Sequence, residues 1–420
     1  MKLLTSSYRS YNSYRSFKSY KSVNSYNSCK SYNREVTENK FKKGKKLQKF
    51  QLLQLLPLLP LLKLFKLKLF SPAYMKLFKL FPLFVFTLFT LVFIIGCAPV
   101  YKANIDYIAS EGILWPGQPE KPRIKYLWSL YSLAPRMSFV DFLAGGGDPT
   151  DPKASPVLVM PYSVYFEGER LYVADSGAMR ATVINIKTTE VLQLGISGKG
   201  ELEFPVGIVA DKAGNIYVSD SDLNKVFVYD KDGKFIGNLS EVKFVRPAGL
   251  AYDKDKDLIY VVDTQDHKVY GISPANGSVR LIIGKRGEAD GEFNYPTHIA
   301  VDKDGSIWVA DAMNFRIQGF DRQGKFISKF GSAGDSYDKF AIPKGVAADS
   351  EGNIYVVDSG QDMVKIFNRD GRLLLFFGEK GNNRGMFWLP AGIFIDKDDK
   401  IYVADAYNHR VQVFQFLGGK

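Results

Sequence analysis

One short phrase written six times constrains what this chain can fold into more than any other feature. Prolines stand at Pro161, Pro205, Pro247, Pro296, Pro343 and Pro390, with gaps of 44, 42, 49, 47 and 47 residues. A second landmark, Asp175, Asp220, Asp263, Asp311, Asp358 and Asp405, keeps the same period with gaps of 45, 43, 48, 47 and 47. Self-similarity of this length marks an array in which each unit is one supersecondary structure. In the last unit the runs Ile393–Ile395, Ile401–Ala404 and Val411–Phe414 are apolar or alternating, broken by Asp396–Asp399 and Ala406–His409. Runs this short, bounded by Asp, Asn and Gly, are strands. The fourth unit shows four of them: His298–Asp302, Ile307–Ala310, Arg316–Phe320 and Phe326–Phe330.

Four antiparallel strands in such a unit make one propeller blade. The expected fold is all-β, a six-bladed β-propeller of four-stranded antiparallel blades spanning 124–420. The units fall near 157–204, 205–246, 247–295, 296–342, 343–389 and 390–420. The sixth ends after its third strand, and an open edge invites mispairing. The missing outer strand must then come from the N-terminal side. Lys125–Leu130 (KYLWSL) aligns with Lys234–Leu239 and Lys325–Phe330, so Ile124–Leu130 is expected to close the ring against Arg410–Phe414. Met137–Leu143 is the second choice, read as a short helix under the ring. Residues 97–123, carrying Pro116, Pro119 and Pro122, read as a tether.

The net charge of +12 belongs to one end of the chain. Residues 1–96 hold 18 Lys+Arg against 2 Asp+Glu, whereas residues 97–420 balance at −4. A mildly acidic folded part argues against nucleic acid as a partner. Residues 1–74 are basic and of low complexity, and 6–32 lack the apolar content for a core, so this arm is expected to be disordered or untranslated. Met75 then begins a positive stretch with Lys76 and Lys79, an apolar run Leu80–Ile95, and Gly96-Cys97. That is the layout of a secretory signal peptide over 75–96. The alternative is a membrane helix at 80–96 with a basic cytoplasmic arm.

The unit pattern P-x-G-[IV]-x-x-D-x-x-G-x-[IL]-Y-V-x-D-x-x-N-x-[RK]-[IV]-x-x-F resembles the NHL-repeat family of six-bladed propellers, most closely at Asn408-His409-Arg410-Val411. The resemblance covers about Pro161–Phe416. Unit one departs with Glu167-Gly168 in place of the first Asp turn, and unit five with Met363 where Arg or Lys is expected. Ile94-Ile95-Gly96-Cys97 resembles the cleavage motif of bacterial lipoprotein precursors. This implies a chain cut before Cys97, lipidated there, and held in the cell envelope with its propeller in the periplasm or outside the cell.

The residues that could carry chemistry are few. The six repeated Asp read as caps of backbone N–H groups, because an active site needs asymmetry and these repeat in every blade. Arg180, Lys225, Lys268, Arg316 and Arg410 follow that Asp by five residues and read as ion-pair partners or a solvated face. His267 and His409 occupy equivalent turns. His298 is different: it replaces the Gly of P-x-G, present as Gly207, Gly249, Gly345 and Gly392, near the central channel. Phe315 and Tyr407, flanking Arg316 and Arg410, suit a protein-binding face. His298, Phe315, Arg316, Tyr407 and Arg410 are thus the candidate ligand-binding residues, and Cys97 the lipidation site.

Two further resemblances bear on activity. Gluconolactonase-like hydrolases and peptide-amidating lyases are six-bladed rings with calcium or a histidine-rich metal centre at the channel. Such a centre needs several ligands from different inner strands. The corresponding residues here are Tyr162, Val206, Ala248, Thr297, Lys344 and Ala391, none a carboxylate. The expectation is therefore a membrane-anchored, monomeric propeller without cofactor or catalytic residues. Its Gly-rich blade-joining loops would bind an envelope protein, a peptide or a glycan. A calcium- or zinc-dependent hydrolase or lyase centred on His298 is the alternative.

Overall fold

A computed structural model describes residues 101–107, 112–117, 119–135 and 158–418. The expectations for the basic arm, the apolar segment, Cys97 and a helix at Met137–Leu143 lie outside the described residues. Among the described residues, no helix is long and apolar enough to cross a membrane.

Six antiparallel sheets form the six expected blades. Blade 1 runs Pro161–Glu167, Arg170–Asp175, Arg180–Asn185 and Val191–Leu194, from the axis outward. Blade 4 repeats this with Pro296–Val301, Ile307–Asp311, Arg316–Phe320 and Phe326–Phe330, within two residues of the expected bounds. Blades 2, 3 and 5 begin with the inner strands Pro205–Ala210, Pro247–Asp253 and Pro343–Ala348. Blade 6 uses Ile393–Ile395, Lys400–Asp405 and Arg410–Phe416. Each inner strand touches the next, and the sixth touches the first, so the ring is closed. Blades bury both faces against their neighbours. Tyr260 and Val262 of blade 3 share one apolar cluster with Ile307, Val309 and Phe320 of blade 4.

The ring closes as expected. β1 is Tyr101–Tyr107, β2 Leu114–Trp115 and β3 Ile124–Pro135. β3 pairs with the third strand of blade 6 in the register Val411↔Leu130 to Phe416↔Ile124. Ile124, Tyr126, Trp128 and Leu130 point inward and are buried. A carboxy-terminal strand thus acquires an amino-terminal neighbour, which removes the free edge.

The tether is a correction. Residues 101–107 and 114–115 are not a stalk: β1 adds a fifth strand outside β3, and β2 pairs with the start of β3. Ala103 is buried and Ile105 packs against the same cluster as Trp128 and Val413. Trp115 meets Phe377 and Phe414 at ring-centroid distances of 5.8 Å. The stretch Tyr101, Ala103, Ile105, Tyr107 alternates with Lys102, Asn104 and Asp106, a period of two that the nearby prolines obscure.

Two glycine positions explain how the blades approach. A side chain on Gly249 would meet the Thr297 carbonyl and His298 Cα at 2.7 Å, and one on Gly207 the Ala248 carbonyl at 2.4 Å. The P-x-G glycine is therefore the point where one inner strand lies against the next. The blade-joining loops hold a second device. Leu158, Leu202, Phe244, Phe293, Phe340 and Phe387, each three residues before the repeat proline, are all buried. The Phe293 ring lies where a side chain on Gly284 would stand, at 2.3 Å, and Gly284 has φ +88°. The loops are thus plugged between blades and only partly free to vary.

Candidate functional site

The repeated polar groups come first, because they are the most numerous. All six Asp are buried. Asp175 accepts from the N–H groups of Val159, Met160 and Ala178, at 2.8, 2.7 and 3.2 Å. Asp358 accepts in the same way from Ala341 and Ile342 at 3.0 and 2.9 Å. Each carboxylate therefore ties the incoming loop of its own blade to the turn between second and third strands. Burial pushes the carboxyls of Asp175, Asp311 and Asp405 above the usual range, opposed by hydrogen bonds and by an arginine at each: Arg180, Arg316 and Arg410. The capping reading holds, with the incoming loop as an added partner.

Arg316 and Arg410 are spent the same way. Arg316 Nε donates to Asp311 at 2.8 Å, and its Nη atoms donate to the carbonyls of Glu288, Ala289 and Glu292. Arg410 repeats this with Asp405 and the carbonyls of Asn382, Asn383 and Met386. Both are buried, so each staples its blade to the loop before it. Phe315 is half-buried against the apolar cluster containing Trp308 and Phe367, which corrects its expected exposure. Tyr407 is exposed and lies 5.7 Å from Trp388. Phe315–Arg316 and Tyr407–Arg410 belong to separate blades, 4 and 6.

His267 and His409 are latches between blades. They occupy a left-handed turn position, φ +56° and +57°, shared by Met179, Asn224, Phe315 and Asp362. His267 Nδ1 accepts from the Tyr295 N–H at 3.2 Å, Asp362 accepts from the Leu389 N–H at 2.6 Å, and His409 Nδ1 meets the Val159 carbonyl. In each case the turn of one blade holds the loop that begins the next.

The axis is where the repeat breaks. His298 of blade 4 and Tyr162 of blade 1, opposite each other in a ring of six, stack with centroids 5.7 Å apart and planes 14° apart. Lys344 of blade 5 stands over the Tyr162 ring, its Nζ 5.2 Å from the centroid. Both His298 ring nitrogens are buried without a hydrogen-bond partner, as is Thr297 Oγ1. Burial, and then the Lys344 charge, hold the His298 pKa down from 6.5 to about 3. The ring is neutral in the fold but charges in the unfolded chain below about pH 6.5. Stability should therefore fall as pH drops from 6.5 towards 3, by up to about 1.4 kcal/mol per unit from this group. In His298→Gly, thermal unfolding between pH 6.5 and 4 should lose that component of its slope; an unchanged slope would show that His298 does not carry it.

His298 is the only ligand-type side chain at the axial positions, and among the described residues no three His, Cys, Asp or Glu side chains converge to hold an ion. Exposed aromatics stand on three blade-joining loops, where Tyr295 packs edge-on to His267 and Tyr337 stacks on Phe376; Tyr131 is exposed on β3. Tyr295, Tyr337 and Trp388 come from three successive loops and are 40%, 53% and 46% exposed, with Tyr407 at 40% beside Trp388. The sequence pointed to Tyr407 and to the Gly-rich blade-joining loops, but singled out neither Tyr295 nor Tyr337.

Comparison with known proteins agrees with this architecture. The NHL repeat profile matches residues 387–414, and that of the SMP-30/Gluconolactonase/LRE-like region matches 238–335. A probable peptidyl-alpha-hydroxyglycine alpha-amidating lyase, pgal-1 of Caenorhabditis elegans, is 30% identical over 26% of this chain and 32% of its own length. Human NHL repeat-containing protein 3 is 34% identical over 25% of this chain and 30% of its own. The chain thus spans about a third of the length of these relatives. An auxiliary nutrient binding protein from Bacteroides thetaiotaomicron superposes with a TM-score of 0.50 at 14% identity, over 62% of this chain and 70% of that one. With six four-stranded blades, the repeated phrase and the profile match together, the chain is a six-bladed β-propeller built of NHL-type repeats.

Proposed function

We propose that this propeller is a binding module, held at a membrane by a lipid on Cys97, whose blade-joining face meets a protein, peptide or glycan in the cell envelope. The arc of exposed aromatics, Tyr295, Tyr337, Trp388 and Tyr407, carries this reading. Trp and Tyr dominate binding hot spots, and Trp388 and Tyr407 form an adjacent, partly exposed pair. The arc is confined to blades 3 to 6, so it has the asymmetry that the repeated Asp and Arg lack. Those are consumed in holding the ring together. The lyase and lactonase resemblances supply no ligand set to these residues, and the binding reading needs none.

Photo-crosslinking in the native cell tests it. A photoreactive residue placed at Tyr407 should give one adduct of discrete mass. The same residue at Ile236, exposed on an outer strand away from the arc, should give none. Trp388→Ala should reduce the Tyr407 adduct at least tenfold. Equal labelling at both positions, or no adduct at Tyr407, would contradict the proposal.

A further inference from the structure

We propose that the axis of the ring is a second binding site, taking a small carboxylate anion between Lys344, Thr297 and His298. Blades 2, 3 and 6 present only small or apolar side chains at this level, Val206, Ala248 and Ala391, all buried, and blade 1 presents Tyr162. Blades 4 and 5 instead place Thr297, His298 and Lys344 on adjoining inner strands. A buried polar atom left unpaired costs about 1–3 kcal/mol. Here three such atoms, both ring nitrogens of His298 and the Thr297 hydroxyl, lie on one strand. His298 is 94% buried by its 6% exposure, and its ring faces Tyr162 across the axis. A structural histidine would have found a backbone partner, as His267 does in the Tyr295 N–H and His409 in the Val159 carbonyl.

The charge at the axis selects the ligand. Among the described residues no ion pair engages Lys344, whose Nζ stands over the Tyr162 ring. Lys344 supplies one positive charge with three donors, Thr297 a hydroxyl donor, and neutral His298 an N–H. One cation with neutral donors around it suits a single negative charge spread over two oxygens. A carboxylate also lies comfortably beside the imidazole, whose remaining nitrogen can accept from a hydroxyl on the same ligand. A cation is disfavoured, since Lys344 repels it. This site is independent of the aromatic arc and does not use Trp388 or Tyr407.

Calorimetry with sodium acetate, on the full chain in detergent and against sodium chloride as background, tests the proposal. The expected result is a saturable single-site heat for the native chain, weakened at least tenfold in Lys344→Met and in Thr297→Val, and unchanged in Trp388→Ala. Lys344→Gln replaces the methionine variant if that variant does not fold. Thermal unfolding without acetate checks that each variant is intact. Absence of a saturable heat in the native chain, or acetate binding that survives Lys344→Met, overturns the site.

Discussion

A chain lacking residues 97–130 should show no cooperative unfolding near that of the intact protein. The closing strand brings Ile124, Tyr126, Trp128 and Leu130 into the core. At about 1.5–3 kcal/mol for each buried large side chain, their loss approaches the ~5–15 kcal/mol that holds a whole domain together. It also exposes the third strand of blade 6, Arg410–Phe416, as a free edge. A graded version separates packing from pairing. Trp128→Ala removes a ring set edge-on to Tyr402 at 6.4 Å and should cost about 3–5 kcal/mol. Circular dichroism on heating reads both. An unaltered transition in the truncated chain would mean that the ring is held shut without β3.

The second large effect concerns Lys365. Unit five lacks the repeated cation, because Met363 stands where units four and six have Arg316 and Arg410. Lys365, two residues further on and on the same side of its strand, replaces it. Its Nζ donates to Asp358 at 2.9 Å and also to the Lys339 carbonyl. In units four and six the corresponding residues are Gln318 and Gln412, which bond the equivalent carbonyls, Glu292 and Met386, at 2.7 Å. Lys365 and Asp358 are both fully buried. Lys365→Met leaves a buried carboxylate without its cation, which costs about 3–5 kcal/mol. The double variant Met363→Arg, Lys365→Gln rebuilds the arrangement of blades 4 and 6 and should recover most of that loss. Failure of the double variant to recover, measured by denaturant unfolding, would show that blade 5 uses a different geometry.

The fold was legible because its information is periodic. The proline and aspartate spacings, the apolar runs and the KYLWSL alignment each repeat a local signal, and the blades and closing strand stand where those signals put them. What was not legible depends on contacts far apart in the chain. β1 was missed because its alternation is short and lies beside Pro116, and its burial comes from residues of blade 6 such as Val413. The loop plugs were missed because Leu202, Phe244 and Phe293 sit among glycines and charges, although each stands three residues before a repeat proline. The site was partly legible. The substitution of His298 for glycine marked the axis, yet its stacking on Tyr162 follows from ring geometry that places blade 4 opposite blade 1. Arg316 and Arg410 stood out for their charge, and burial shows that charge already used.

The proposed role rests on where the propeller is kept, so the mass of the intact protein from its native membrane is the most direct test. The account predicts a chain beginning at Cys97 and carrying lipid, with the lipid absent in Cys97→Ser. That result would place the aromatic arc in the cell envelope, facing partners there. A full-length chain beginning at Met1, unchanged in the Cys97→Ser protein, would contradict the account: the basic arm would be part of the working protein, and the ring would be held by another means.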